Sequence, residues 1–251
     1  MDTLALDLLE SHKYTEAIAE CRRRLAINPN DIGAAATLAS ALKATEDYRD
    51  ALILYEHAGL HEQESKLTPG HPGRQMEISC LHWFLGDRQR AIELMHGLVE
   101  GILDGSINYG DAAGGVTQGL LLYYMSVTQA LTEETSFAAK YLKKRARRSA
   151  ISSWPGPVAR YYLGELTFED VLTAATGQRD LSAAFEVART KLLSRRRLCG
   201  ALFHDGVRWR AQGSEEMCVA RMRECYGLEN PLIEPEWYLA RYEVEQAEKL
   251  A

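Results

Sequence analysis

The chain has 251 residues, of which 46% are hydrophobic and 25% charged, and it carries a formal net charge of −6. That composition excludes a disordered or fibrous class and leaves ample length for a buried core. The acidic balance argues against nucleic acid as the main partner, because phosphate binding needs a basic face.

No segment stays apolar over the roughly 18 residues that a membrane helix requires. The stretch MDTLALDLLESHKY at the start opens on acids instead of a basic region followed by an apolar one, so a cytoplasmic protein with no membrane contact is expected. Cysteines at 21, 80, 199, 218 and 225 form no CxxC pair. Such scattered spacing predicts reduced thiols and disfavours a zinc or disulfide framework.

In chain order, YTEAIAECRRRLAINPND (14–31) aligns with YRDALILYEHAGLHEQES (48–65) at an offset of 34 residues, with Tyr14 on Tyr48, Ala17 on Ala51 and Cys21 on Tyr55. Leu4 and Ala5 match Leu38 and Ala39 in the same register. The period predicts two helix hairpins over 1–65. Small residues at Ala39, Ala51 and Ala58 let helices approach, and Pro29 forces a turn. MEISCLHWFLGDRQRAIELMHGLVEGIL (76–103) reads as a third hairpin, within 72–105, turning at Gly86-Asp87.

NYGDAAGGVTQGLLLYYMS (108–126) raises the question of a phosphate loop, but neither GxxxxGK[ST] nor GxGxxG fits it. The alternative is a helix start capped by Asp111 or Thr117, with glycines for a close turn or close packing. The region 106–200 reads as divergent hairpins, including 155–176, where Gly164 marks the turn and Thr167 with Asp170 a capping box. LFHDGVRWRAQGSEEMCVARMRECYGL (202–228) is the last hairpin, ahead of an acidic helix that completes 201–251. Strand signals are nearly absent.

Catalytic constellations are thin. His57 and His61 stand four apart but belong to no HExxH pattern, and Ser40 and Cys80 lack a nucleophile elbow. The expectation is a non-enzyme with no cofactor and no metal.

The 34-residue period, the closing NPND and the small residues at Ala39, Ala51 and Ala58 resemble the tetratricopeptide repeat family. That resemblance implies an all-α, single-domain solenoid of antiparallel helix hairpins over 1–251. It also implies a groove for a protein partner, lined at Ala36, Ser40 and Lys43 and at Met76, Cys80 and Trp83, with Phe203, Val207 and Arg210 in the last unit. The layout with GDRQRAIELMHGLVEGILDG, YGDAAGGVTQGLLLYY and NPLIEPEWYLARYEVE is similar to helical immunity proteins of bacterial polymorphic toxin and type VI secretion systems. It implies binding and neutralisation of a cognate toxin, a nuclease effector being suited to an acidic inhibitor.

The segment from Glu229 to Glu245 is then the candidate surface, through Glu229, Glu234, Glu236, Trp237, Tyr238, Glu243 and Glu245. Its aromatic cluster at Trp237, Tyr238 and Tyr242 makes a homodimer a further expectation. Two other readings stay open. One is a regulatory or assembly scaffold for a cellular partner. The other is nucleic-acid binding through KYLKKRARR (140–148), which holds six Lys or Arg and no acid.

Overall fold

Runs of apolar residues at helical spacing, interrupted by short polar links, fold as helices wherever the chain is described. The computed structural model describes residues 4–64, 72–107, 113–232 and 234–250. In chain order the helices are α1 (Leu4–Glu10), α2 (Tyr14–Ile27), α3 (Ile32–Ala44), α4 (Tyr48–Glu64), α5 (Pro72–Phe84), α6 (Arg88–Asp104) and α7 (Val116–Thr128). There follow α8 (Thr132–Ala146), a 3-10 turn at Ser149–Ser152, α9 (Gly156–Tyr162), α10 (Phe168–Thr176), α11 (Leu181–Thr190), α12 (Leu192–Ala211), α13 (Glu215–Tyr226) and α14 (Pro235–Leu250). The fold class is therefore all-α. No helix among the described residues is long and apolar enough to cross a membrane. The chain divides into two compact units, Met1–Leu94 and Met95–Ala251, and the division falls inside α6.

One turn recurs. Asp47 N–H donates to Leu42 O and Glu46 N–H to Lys43 O, the paired bonds of a Schellman motif, with Glu46 left-handed at φ 66°. The same two bonds close α1 at Lys13 and His12, α5 at Asp87 and Gly86, α7 at Leu131 and Ala130, α9 at Glu165 and Gly164, and α12 at Ser214 and Gly213. In each, the residue at the second of those positions has a positive φ. His12 to Glu46 and Ala130 to Gly164 are each one 34-residue step. The last carbonyls of the first helix are thus satisfied inside the turn, and the chain reverses into the next helix within three residues, or five after α9.

In the first unit, neighbouring helices pack in order, α1 on α2, α2 on α3, α3 on α4 and α4 on α5. Ala17, Cys21, Ala34, Ala39 and Ala51 are fully buried at these crossings, as small side chains at close approaches must be. Asp31 begins α3 by accepting from Ala34 N–H at 2.9 Å and also holds Arg24 of α2 at 2.7 Å. The backbone bond from Ala34 is the first cause that holds its carboxyl below the usual range, with Arg24 adding to it. The surroundings of Ala58 and His61 lie outside the described side chains.

The second unit is organised differently, because α12 packs against α7, α9, α10, α11, α13 and α14. From Leu198 to Val207 every residue of α12 is buried, so this helix has no solvent face over nearly three turns. Gly206 lets α13 approach: an added β-carbon would meet Cys218 O at 3.1 Å.

The glycine-rich stretch also serves packing. A β-carbon on Gly119 would fall 2.4 Å from Tyr141 of α8, whose hydroxyl donates to Gly115 O at 2.7 Å. The helix is started by Gly115 in the left-handed region with no side-chain cap, so Thr117 does not cap it, and Asp111 lies outside the described residues. Thr167 and Asp170 do form the reciprocal capping box.

His96 of α6 joins α8 within this unit. Its Nδ1 lies 2.7 Å from Glu134 and its Nε2 3.4 Å from Glu100, and its ring stacks on Phe137 at 4.2 Å. Burial works against the imidazolium, but the bonds to Glu134 and Glu100 outweigh it and raise the histidine above its ordinary value of 6.5. A folded-state value above the unfolded one means that the stabilisation is complete below about 6.5 and is lost as pH rises through the raised value. Urea midpoints of the wild type should therefore fall relative to His96→Gln as pH goes from about 6 to about 8.5. Parallel pH profiles would show that the ion pair contributes nothing.

The recurring turn makes a paired prediction. Nothing lies within 4 Å of a β-carbon on Gly86, so Gly86→Ala meets only the backbone cost of the left-handed region and should destabilise by about 1 kcal/mol. Ala130→Gly should relieve that cost and stabilise by about 0.5–1 kcal/mol, both read by denaturant titration. The same sign for both variants would contradict the assigned turn.

Candidate functional site

The acidic segment is built on α12. Three consecutive arginines, Arg195 to Arg197, open the first turns of that helix, and two of them meet the segment's carboxylates: Arg195 pairs with Glu229 and Arg196 with Glu234. Asn230 then orders the link, accepting from Leu232 N–H at 2.7 Å and donating to the Tyr238 hydroxyl at 3.2 Å. Trp237 Nε1 donates to Leu228 O at 2.9 Å, and its ring lies 5.2 Å from Tyr226 and 5.2 Å edge-on to Tyr238. Arg241 sits over both rings, at 5.5 and 5.7 Å. These contacts fix α14 by its aromatic face.

The carboxylates predicted as one surface therefore separate into two sets. Glu236 and Glu243 are buried and turned toward α12. Glu236 lies 3.5 Å from His204 Nε2, whose Nδ1 faces the Tyr162 hydroxyl at 2.9 Å. Glu243 accepts from Arg210 at 2.9 Å and from the Tyr124 hydroxyl. Trp237 and Tyr238 are buried as well. The side chain of Glu229 is 61% exposed and that of Glu245 35%, while Glu234 is mostly covered by Arg196. The carboxylates left at the surface are thus Glu229 on the link and, along α14, the half-exposed Glu245 and, one turn on, Glu248. Of the aromatic cluster, Trp237 and Tyr238 pack into the joint between α13 and α14, and Tyr242 is half-buried.

In the first unit, the positions assigned to a groove also turn inward. Ser40 donates to Ala36 O at 3.1 Å and meets the Tyr55 hydroxyl at 2.8 Å. Lys43 is buried and pairs with Glu77 at 2.7 Å. Met76, Cys80 and Trp83 are buried, Trp83 completely, with Arg88 4.0 Å above its ring. Phe203 and Val207 lie in the core of the second unit. Ala36 and Ser40 stay half-buried, while the apolar side chains of Met76, Cys80, Trp83, Phe203 and Val207 work as core.

The residues missed from sequence are the counter-charges. Asp205 accepts from Arg221 at 2.6 Å and from the Tyr161 hydroxyl, whose pKa is raised by burial and then by that carboxylate. Arg210 links Glu215, Glu243 and Thr128. The signal available was HDGVRWR within an apolar run, since charges that must be buried need partners of opposite sign.

The five cysteines are all free and buried. Burial pushes the Cys21 thiol up to about 11 and that of Cys218 up to about 12. Cys199 and Cys225 approach to 3.4 Å between sulfurs, and burial raises Cys199 too. Thiols so disposed are poor nucleophiles. Among the described residues no group of three or more His, Cys, Asp or Glu is placed to hold a metal ion.

No protein-family model matches the chain, and no curated protein matches it.

Arg210 gives the test of this arrangement. Arg210→Ala strands the buried carboxylate of Glu243 and should cost about 3–5 kcal/mol, whereas Glu215→Ala, at an acid 61% exposed, should cost less than about 1 kcal/mol. Equal losses by chemical denaturation would show that Glu243 is not held by Arg210.

Proposed function

We propose that the chain is a non-enzymatic protein-binding module built on tetratricopeptide-like hairpins. The observation that carries this reading is the Schellman turn recurring at 34-residue steps, from His12 to Glu46 and from Ala130 to Gly164. Stacked hairpins of this kind expose long faces on rigid elements, which suits recognition of another macromolecule. The polar clusters of the second unit are consumed in buried ion pairs, which supports a structural use of those groups.

The resemblance stated above supplies the class of partner. On it, the chain is a cytoplasmic immunity protein that binds a cognate bacterial toxin, a nuclease effector of a type VI or related secretion system. The exposed carboxylates of Glu229, Glu245 and Glu248 suit a basic substrate cleft, where they would speed encounter and occlude the site.

The experiment is calorimetric titration with a candidate basic nuclease effector, together with thermal melts. Glu229→Lys with Glu245→Lys should weaken binding by about 1–3 kcal/mol, with the loss concentrated at low salt, while the melting temperature changes little. Unchanged affinity would remove the acidic face from the interface, and no binding at all would remove the toxin reading.

A further inference from the structure

Lys140, Lys143, Lys144 and Arg147 fall at i, i+3, i+4 and i+7 along α8 and its cap, and Arg148 follows directly. That spacing puts them on one helix face. All five are exposed, while Tyr141, Leu142 and Arg145 of the same stretch turn inward, Arg145 donating to Ile102 O at 2.9 Å.

Elsewhere in the second unit arginines meet carboxylates: Arg160 with Glu165, Arg189 with Glu186, Arg196 with Glu234, Arg210 with Glu243 and Arg221 with Asp205. Among the described residues, none of the five cations of α8 has an ion pair or a hydrogen bond through its side chain. The helix dipole accounts for a cation or two in the last turn, but its influence fades before Lys140.

The chemistry of this face narrows what it can hold. Membrane-surface helices set apolar side chains beside their cations, and protein hot spots are built on aromatic or aliphatic anchors. Here the apolar residues that lie between the cations are the half-buried Ala139 and Ala146. A phosphate backbone requires neither anchor, only closely spaced cations. The stripe is about 12 Å long, the axial length over which one strand of a duplex carries three or four phosphates. The net charge of −6 arises from acids elsewhere, and beyond about 8 Å at physiological salt their repulsion is screened.

We propose that this face of α8 docks on the phosphate backbone of a nucleic-acid duplex without reading its sequence. It rests on residues other than the exposed carboxylates, so it stands or falls apart from the protein-binding reading.

The test is fluorescence anisotropy of the full chain with a labelled mixed-sequence DNA duplex of about 20 base pairs, from about 50 to 200 mM NaCl. Three or four phosphate contacts give a slope of log K against log salt of about −3 to −3.5, a loss of about 50- to 150-fold across that range. K143Q/K144Q/R147Q should bind at least about tenfold more weakly at about 50 mM salt with a slope near −2, whereas K143R/K144R should bind as the wild type does. Circular dichroism and melts should match for all three, since these side chains make no ion pair or side-chain hydrogen bond among the described residues. No binding at about 50 mM salt, equal binding by the triple glutamine variant, or capture by anionic phosphatidylserine vesicles without any binding of the duplex would each overturn the proposal.

Discussion

The left-handed reversal after each first helix is the constraint on which the hairpins depend. A helix ends with carbonyls that have no partner, and burying that end without satisfying them is costly. The Schellman bonds satisfy two of them and aim the chain backward in the same step. Gly86, Gly164 and Gly213 take this conformation freely, but His12, Glu46 and Ala130 take it against the preference of a β-carbon. Those three are held by the helices they join: Ala39 and Ala51, both fully buried, can meet only if the link between α3 and α4 stays short.

The second unit adds a different problem, since α12 carries His204 and Asp205 through the middle of its core. Buried charge destabilises unless it is paired and hydrogen-bonded. Each partner comes from a separate element: Tyr162 from α9, Arg221 from α13, Glu236 from α14, with Tyr161 completing the set around Asp205. Such a network adds little net stability over an apolar core, but it penalises any other packing of these helices around α12. The acidic segment is drawn into that network, which is why Glu236 and Glu243 face inward.

What is left at the surface is simple in composition. Carboxylates remain at Glu229 on the link before α14 and at Glu245 and Glu248 along α14, and cations without ion pairs among the described residues line α8. The cysteines are shut inside, and burial raises the thiol pKa values of Cys21, Cys199 and Cys218. Charge on rigid helices is suited to encounter and docking.

Local sequence determined the helices, the 34-residue offset from Tyr14 to Tyr48, the turn at Gly86 and the capping box at Thr167 and Asp170, because propensity, small-residue spacing and turn chemistry act over a few residues. The direction in which a charged or aromatic side chain points was decided by tertiary contacts alone. Trp83, Lys43, Trp237 and Glu243 are positions that a repeat register or a charge count assigns to the surface, and all four are buried; three of them meet polar partners there, Glu77 for Lys43, the Leu228 carbonyl for Trp237, and Arg210 with Tyr124 for Glu243. Periodicity locates a face; only the packing of neighbouring helices, around α3 and α5 in the first unit and around α12 in the second, determines whether that face meets water or the core.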